Sequence, residues 1–470
     1  MRVWLGRLLA DLRGGRSCLW LLPRSVLKEA GDRADRLIDE VLYELGEFVL
    51  LPSDEFAASA SARSPATARP AASGRWSGLA PVPDFDDGLP ELPTPRSLAP
   101  LAPEPPTPPT PAEALAGLLE RLGKELSFSS GADTAGSDPT GDVLARLTGH
   151  GSGTAETRPV VVRAWRESVP SAAADLLRRL VATAKEAGLP PDRRPRALVV
   201  ATTDDLPADL PAQLAREAIA VHWWWGATGR LDTATVVALA RPPLVSATER
   251  GHLHEAVIQA TITEVCGPFL DIAAALASRW DDGRPETLAS ALHDVLADLP
   301  GPAVVPPQRT EGTRHPGRRP DDRLLAAWNA GTVDSWDGRL RRHPGCDLAH
   351  ERAVAARIWL AQNHVLLPLL DDARDQFTTT VRARARVPLV RLAQDYGPRR
   401  ESGTASEPAA SAVSMMELGA MWSAHCDGVI ALVPAERRRL RILREARNRL
   451  AHRAPLDGDR LGQLVEELCR

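Results

Sequence analysis

The chain has 470 residues, with 57 Lys and Arg against 61 Asp and Glu and a formal net charge of −4. That length allows two or three domains with proper cores, and the near balance of charge excludes a protein-wide basic field for nucleic acid. Five scattered cysteines (Cys18, Cys266, Cys346, Cys426, Cys469) without Cys-x-x-Cys spacing argue against a disulfide framework and a zinc site, and no apolar run reaches membrane-span length.

The first 52 residues read as the start of an α/β layer. A short helix, Val3–Leu12, meets Gly14-Gly15, and the arginine- and leucine-bearing Arg2–Leu22 stretch is broken by Asp11 and these glycines, unlike a signal peptide. Cys18–Leu22 is a continuous apolar run of the kind a doubly covered strand shows. An amphipathic helix over Ala34–Leu45 leads to a second run, Phe48–Leu51. Residues 53–157 are rich in Pro, Ala and Ser and read as a disordered linker, with one island of helical periodicity at Pro111–Leu126.

Order resumes with strands at Pro159–Trp165 and Ala197–Ala201, a helix at Ala172–Ala187 between them, and a helix at Pro211–Ala218. Ala220–Gly226, with its Trp223-Trp224-Trp225 run, reads as a buried strand whose aromatics are core rather than a stacking platform. Thr235–Ala240 reads as one more strand, followed by helices at Glu249–Cys266, Phe269–Trp280 and Leu288–Leu299. Alternating strands and helices predict a mostly parallel sheet, so 1–52 and 158–300 are expected to form one α/β domain split by the linker.

Residues 301–320 form a second linker, and everything assigned from Asp321 onward is helical. Arg323–Ala330 and Ser335–Arg342 read as short connecting helices within 321–346. A long helix starts near Asp347 and is expected to kink at Pro368, Gly397–Ser411 is a loop, and helices follow at Val413–Leu432, Ala435–Arg453 and Gly458–Leu468. The fold class expected is therefore α/β followed by an all-α helical bundle over 347–470.

A phosphate-binding loop is missing where an NTPase needs one. Gly14-Gly15-Arg16-Ser17 precedes its strand, and the loop after that strand has a single late glycine, Gly31. Asp204-Asp205 can imitate a magnesium-binding acid, but as a turn and helix-capping pair they need no such role. The order of elements still resembles the P-loop-less relatives of STAND-type signalling ATPases, which implies a sensor or scaffold, or an NTP-binding regulator.

The stretch Arg444–Leu456 carries the strongest chemical pattern. Eight arginines lie between Pro434 and Arg453 against Glu436 and Glu445, a local footprint for phosphate within a mildly acidic protein. Asn448 and His452 are four apart on one helix face, Arg444 stands one turn earlier, and Arg447 lies beside that face within reach of a common ligand. A permanent cation, an amide and an imidazole suit a phosphodiester, because Arg holds the phosphate and His moves a proton near neutral pH. By spacing alone, a solvated or capping helix explains such residues more often.

Arg447-Asn448-Arg449-Leu450-Ala451-His452 resembles the motif of HEPN (higher eukaryote and prokaryote nucleotide-binding) domains: Arg, a polar residue, three more residues, then His. Trp359–Leu370 and Met416–Gly419 resemble the variety found in defence and toxin–antitoxin loci. The resemblance covers the last quarter of the chain and implies a metal-independent endoribonuclease without cofactor, working as a homodimer through this bundle. The RNA 2′-hydroxyl attacks the adjacent phosphorus and leaves a 2′,3′-cyclic phosphate. By the same resemblance His452 is general acid or base, Arg447 stabilises the phosphorane, Asn448 orients phosphate or imidazole, and Glu417 orients or tunes the cationic pair. Arg444, Arg449 and Arg453 are the expected RNA and phosphate contacts. A partner or antitoxin protein, a cytoplasmic location and no membrane contact complete the expectation. The alternative is a HEPN module that binds nucleotide, RNA or a partner without cutting.

Overall fold

The computed structural model describes residues 2–28, 32–54, 109–126, 139–149, 156–243, 248–299, 317–348, 350–398 and 413–470. They divide into two compact units. One comprises Leu8–Leu21 and Asp39–His222, the other Met1–Arg7, Leu22–Ile38 and Trp223–Arg470. The chain is a mixed α/β protein with a small parallel sheet in its N-terminal half and helices toward the C-terminus.

After helix α1 (Arg2–Arg13) come β1 (Cys18–Leu22), helix α2 (Asp32–Leu45) and β2 (Val49–Leu50). Helices α3 (Pro111–Glu125) and α4 (Pro139–Leu147) precede β3 (Val160–Arg163), α5 (Ser171–Glu186), β4 (Ala197–Thr202), α6 (Leu210–Arg216) and β5 (Ala220–Trp223). The strands lie in the order β2-β3-β4-β1-β5, with β2, β3 and β4 mutually parallel and Val160 opposite both Val49 and Ala197. Every residue of β1 and β4 is buried, which is why their sequences are unbroken apolar runs.

The island in the Pro-rich linker is a docked helix. Thr110 and Glu113 close its N-terminus as a capping box, and Leu115, Leu118, Leu119 and Leu122 are buried where α3 packs on α5 and α4. Arg121 donates to the Pro52 carbonyl at 2.6 Å and pairs with the largely buried Glu167. Helix α4 also lies in the stretch whose composition predicts a linker, and Leu144 and Leu147 give it the buried face that composition obscures. The remaining linker residues, 55–108, 127–138 and 150–155, lie outside the described residues, as do 300–316 and most of the 397–411 loop.

The second unit holds α7 (Arg230–Ala240), α8 (Glu249–Cys266), α9 (Leu270–Arg279), α10 (Pro285–Asp298) and α11 (Asp322–Asn329). Strands β6 (Val333–Trp336) and β7 (Arg339–Arg342) follow, then α12 (Glu351–Arg384), α13 (Leu389–Tyr396), α14 (Leu418–Cys426), α15 (Pro434–Ala451) and α16 (Gly458–Leu468). Trp223, Trp224 and Trp225 are core residues as expected. All three are buried, Trp4 donates to the Trp223 carbonyl at 2.8 Å, and its ring meets Trp224 edge-on at 4.8 Å.

Three sequence expectations fail here. Thr235–Ala240 is not a strand but the end of α7, whose start is set by Asp232 accepting the Gly229 N–H at 2.9 Å. Ser335–Arg342 is not a helix, and the chain after Asp321 is not wholly helical. β6 and β7 pair antiparallel, joined by Asp337 and Gly338 at φ of 48° and 72°. Positive φ at both central positions is the turn that Asp-Gly favours in a two-residue hairpin. The helix expected over Val413–Leu432 spans only Leu418–Cys426 among its regular turns, because Gly428 (φ 72°) turns the chain and Ile430 bridges Ala385.

The composition break after residue 300 does not separate α8 from the C-terminal helices. Ile258 and Ile262 share a core with Val354 and Ile358 of α12, while Val257 joins the core formed by Leu366, Phe377, Leu440, Leu443 and Leu464. Helix α12 is long and apolar enough to cross a membrane by length and composition. Its residues Val354, Ile358, Leu366, Leu370, Phe377 and Val381 are nevertheless buried in these two cores. It continues through Pro368, which has no N–H for the His364 carbonyl four residues back.

His343 gives this unit a pH-dependent stability. Burial holds its pKa down at about 4, and its Nδ1 accepts the Gly345 N–H at 3.2 Å, which requires that nitrogen unprotonated. The unfolded chain, with an ordinary histidine pKa near 6.5, binds the extra proton first. Stability attributable to His343 is therefore constant above about pH 6.5 and declines from there to about pH 4, by about 3 kcal/mol in all. Chemical denaturation across this window should show that slope in the wild type and lose most of it in His343→Phe.

Candidate nucleic-acid interface

Helix α15 begins with Pro434 at its first position, and Glu436 accepts the Val433 N–H at 2.9 Å while pairing with Arg384 at 2.9 Å. Leu440, Ile442, Leu443, Ala446 and Leu450 form its buried face. On the opposite side Arg437, Arg441, Arg444, Asn448 and His452 recur at intervals of four, three, four and four residues, which lines them up along the helix. All are exposed except Arg444, which is half-buried.

The stripe is electrostatically uncompensated. Among the described residues Arg437, Arg438, Arg441 and Arg447 form no ion pair, Glu436 is engaged by Arg384, and Glu445 is exposed without a partner. The Arg444 guanidinium lies 4.8 Å over the Trp422 ring of α14, and its buried Nε has no hydrogen-bond partner among the described residues. Stacking on the ring orients the cation without neutralising it. Trp422 and the exposed Arg437 and Arg441 were not singled out as site residues from sequence; the regular stripe was a readable signal for the two arginines.

The C-terminal end of α15 is held unusually firmly. His452 is the cap residue, the Arg453 N–H bonds the Leu450 carbonyl at 3.2 Å, and the Ala454 N–H bonds the Arg449 carbonyl at 2.9 Å. This is a Schellman ending, whose left-handed position is normally glycine but is here Arg453 at φ 56°. A side chain there costs about 1 kcal/mol, so neighbouring contacts must hold it. Trp359 donates to the Leu450 carbonyl at 2.6 Å, Arg453 lies over the Trp359 ring at 5.8 Å, and Arg449 donates to the Pro455 carbonyl at 3.0 Å. The buried Gln362 amide donates to the Leu456 carbonyl at 2.9 Å and accepts the Leu456 N–H at 2.7 Å. Gln362→Ala strands both backbone groups. It is expected to cost about 2–4 kcal/mol in urea unfolding.

The expected site residues are only partly brought together. Asn448 and His452 share the exposed stripe. Arg447 does not flank His452 as the spacing suggested: five residues are about 140° of helical rotation, and Arg447 is half-buried at the edge of the Leu440–Leu443 face. No hydrogen bond or ion pair joins the Arg447, Asn448 and His452 side chains, and none of the three has such a partner elsewhere among the described residues. Arg449 and Arg453 spend their side chains on the helix ending. Glu417 is the exposed N-cap of α14, makes no capping bond, and lies one residue more than a turn before Trp422.

Asp205, of the acidic pair considered for magnesium, and the polar groups around the end of α14 have structural partners. Asp205 accepts the Thr202 N–H and hydroxyl at 2.6 and 2.9 Å, the turn role foreseen for it. His425 Nδ1 lies 3.3 Å from the Ile430 carbonyl, and Asp427 accepts the Tyr396 hydroxyl at 2.6 Å. Compared with known families, curated proteins and solved structures, the chain matches none.

Proposed function

We propose that the chain is an RNA-directed endoribonuclease of the HEPN type, cutting without a metal by attack of the 2′-hydroxyl, in a microbial defence or toxin–antitoxin setting in the cytoplasm. The observation that carries this reading is the uncompensated stripe of α15, which ends in an exposed amide and imidazole at a clamped helix terminus. Guanidinium groups without carboxylate partners bind phosphate through charge-assisted hydrogen bonds. An exposed histidine at the end of that track is placed to exchange a proton with the 2′-hydroxyl or the leaving 5′-oxygen. A strand lying along the stripe has its phosphates on Arg437, Arg441 and Arg444 and its scissile linkage at His452.

Arg447 enters this reading through a homodimer. Within one helix it points away from His452, so charge stabilisation of the phosphorane by Arg447 requires two motifs facing each other. The N-terminal unit then serves as sensor or scaffold. A partner or antitoxin protein is part of the same proposal, and Glu417 has the outer role of tuning the cations.

The separation of Arg447 from His452 favours a second reading, in which the same stripe binds RNA without cutting it. The experiment that separates the two is incubation of the full chain with total RNA and a labelled oligoribonucleotide in EDTA, with product ends typed by mass spectrometry. Cyclic-phosphate and 5′-hydroxyl ends support the nuclease, whereas RNA binding with intact RNA supports the binding module. In either case binding should weaken with salt at a log–log slope of about −0.7 per phosphate contacted, and Arg437→Ala with Arg441→Ala should flatten that slope by about 1–2.

A further inference from the structure

A second cationic cluster lies on the other side of α12 from the RNA stripe. Its centre is Glu264 near the end of α8, whose carboxylate is fully buried. Arg341 of β7 donates to Glu264 Oε2 at 2.6 Å, and Arg230 at the start of α7 donates to Oε1. His364 of α12 brings its Nδ1 to 3.8 Å from Oε1, too far for a hydrogen bond, with its side chain 44% exposed. His364 is five residues beyond Trp359, hence about 140° around α12 from the side that clamps α15.

An ion-pair staple between α7, α8 and the hairpin explains Glu264 and Arg341. It does not explain the rest. Arg339 stands two residues before Arg341, so the pleat puts both on one face of β7. It is exposed, has no ion pair among the described residues, and lies near enough to His364 and Arg341 to act on both electrostatically. Only Nη1 of Arg230 has a hydrogen-bond partner among the described residues, while Arg341 keeps Nε and Nη1 buried without an acceptor. Arg341 is also stacked 4.5 Å over the Trp336 ring. Donors thus outnumber acceptors.

The nearby acids do not restore the balance. Asp337 accepts the backbone N–H of Arg230 at 3.2 Å, and Asp347 is taken by Arg342 at 3.0 Å and by Arg357 at 3.6 Å. Burial and the neighbouring Arg230 and Arg339 push the His364 pKa down, against the opposing pull of Glu264.

We propose that Arg230, Arg339 and His364 form a binding site for a phosphomonoester dianion, with the Glu264–Arg341 pair as the buried floor that fixes the Arg230 fork. Such a ligand carries two charges and three equivalent oxygens, which match two guanidinium groups and an imidazole that becomes a second type of donor on protonation. A phosphodiester, with one charge and two free oxygens, leaves one of the three donors unmatched. The site does not depend on the RNA-cleavage reading, since His452 and the α15 stripe take no part in it.

The test uses the full chain with histidine-selective isotope labelling and follows the His364 ring by NMR. Inorganic phosphate should raise the His364 pKa by about one unit, tenfold in proton affinity, whereas sodium chloride at matched ionic strength should not. Arg339→Ala, a change at an exposed side chain, should weaken the phosphate response at least about tenfold and leave the melting curve unchanged. Adenosine 5′-monophosphate and a 5′-phosphorylated oligoribonucleotide distinguish a free nucleotide from an RNA end as the source of the group. The proposal is overturned if chloride reproduces the shift, if Arg339→Ala responds like wild type, or if a 5′-hydroxyl oligoribonucleotide raises the His364 pKa as inorganic phosphate does.

Discussion

His452→Ala is expected to lower RNA cleavage by about 10²–10⁴-fold, the range over which a positioned general acid or base contributes. The chain should remain folded. The imidazole of His452 is exposed and makes no hydrogen bond or ion pair among the described residues, and the α15 ending is held instead by backbone bonds and by Trp359, Gln362 and Arg449. Thermal unfolding should therefore shift by no more than about 0.5 kcal/mol, as for surface substitutions generally. RNA affinity should change little, because the cations at Arg437, Arg441 and Arg444 remain. Single-turnover cleavage, filter binding and a melting curve on one preparation separate these effects. Undiminished cleavage by the variant would remove His452 from the mechanism and with it the assignment of the site to the end of α15.

The second large effect is on stability. Glu264→Ala should cost about 3–5 kcal/mol, because removing one partner of a buried ion pair leaves charge without compensation. Arg341 would bear most of that cost: its side chain is 5% exposed and two of its nitrogens already lack acceptors. The hairpin should loosen first, since Arg341 ties β7 to α8, while the link from Trp336 to Thr233 at 3.2 Å survives. Hydrogen exchange at 333–342 reports that loosening, and urea unfolding reports the total. Pairing Glu264→Leu with Arg341→Met should recover a large part of the loss, as apolar replacements of buried pairs often do. A cost below about 1 kcal/mol for Glu264→Ala would mean that the pair is solvated in solution.

Where a local pattern dictates structure, the residues were informative. β1, β3 and β4 were legible because strands buried on both faces are unbroken apolar runs, and the structure closes Glu249–Cys266 with Thr248 at its start and Gly267 at its end. The docked island at Pro111 was visible through its helical periodicity. The β6–β7 hairpin was missed although Asp337-Gly338 is a strong turn signal, because Arg339–Arg342 carries three arginines and resembles a solvated helix more than a strand. The structure buries one of them, Arg341, beneath Trp336 and against Glu264.

The candidate site divides in the same way. The stripe Arg437–Arg441–Arg444–Asn448–His452 follows from residue spacing on one helix, whereas the expected convergence of Arg447 with His452 fails, because five residues of helix part them by about 140°. Tertiary structure alone decided that Arg453 adopts a left-handed backbone, that Gln362 clamps Leu456 from 94 residues away, and that Arg230, Arg339, Arg341, Glu264 and His364 meet. Helical and strand periodicities are set by bonds between near neighbours and so are written in short windows. The partner of a buried charge, or the support for a strained backbone, is set by which distant faces exclude water together, and no short window contains both sides.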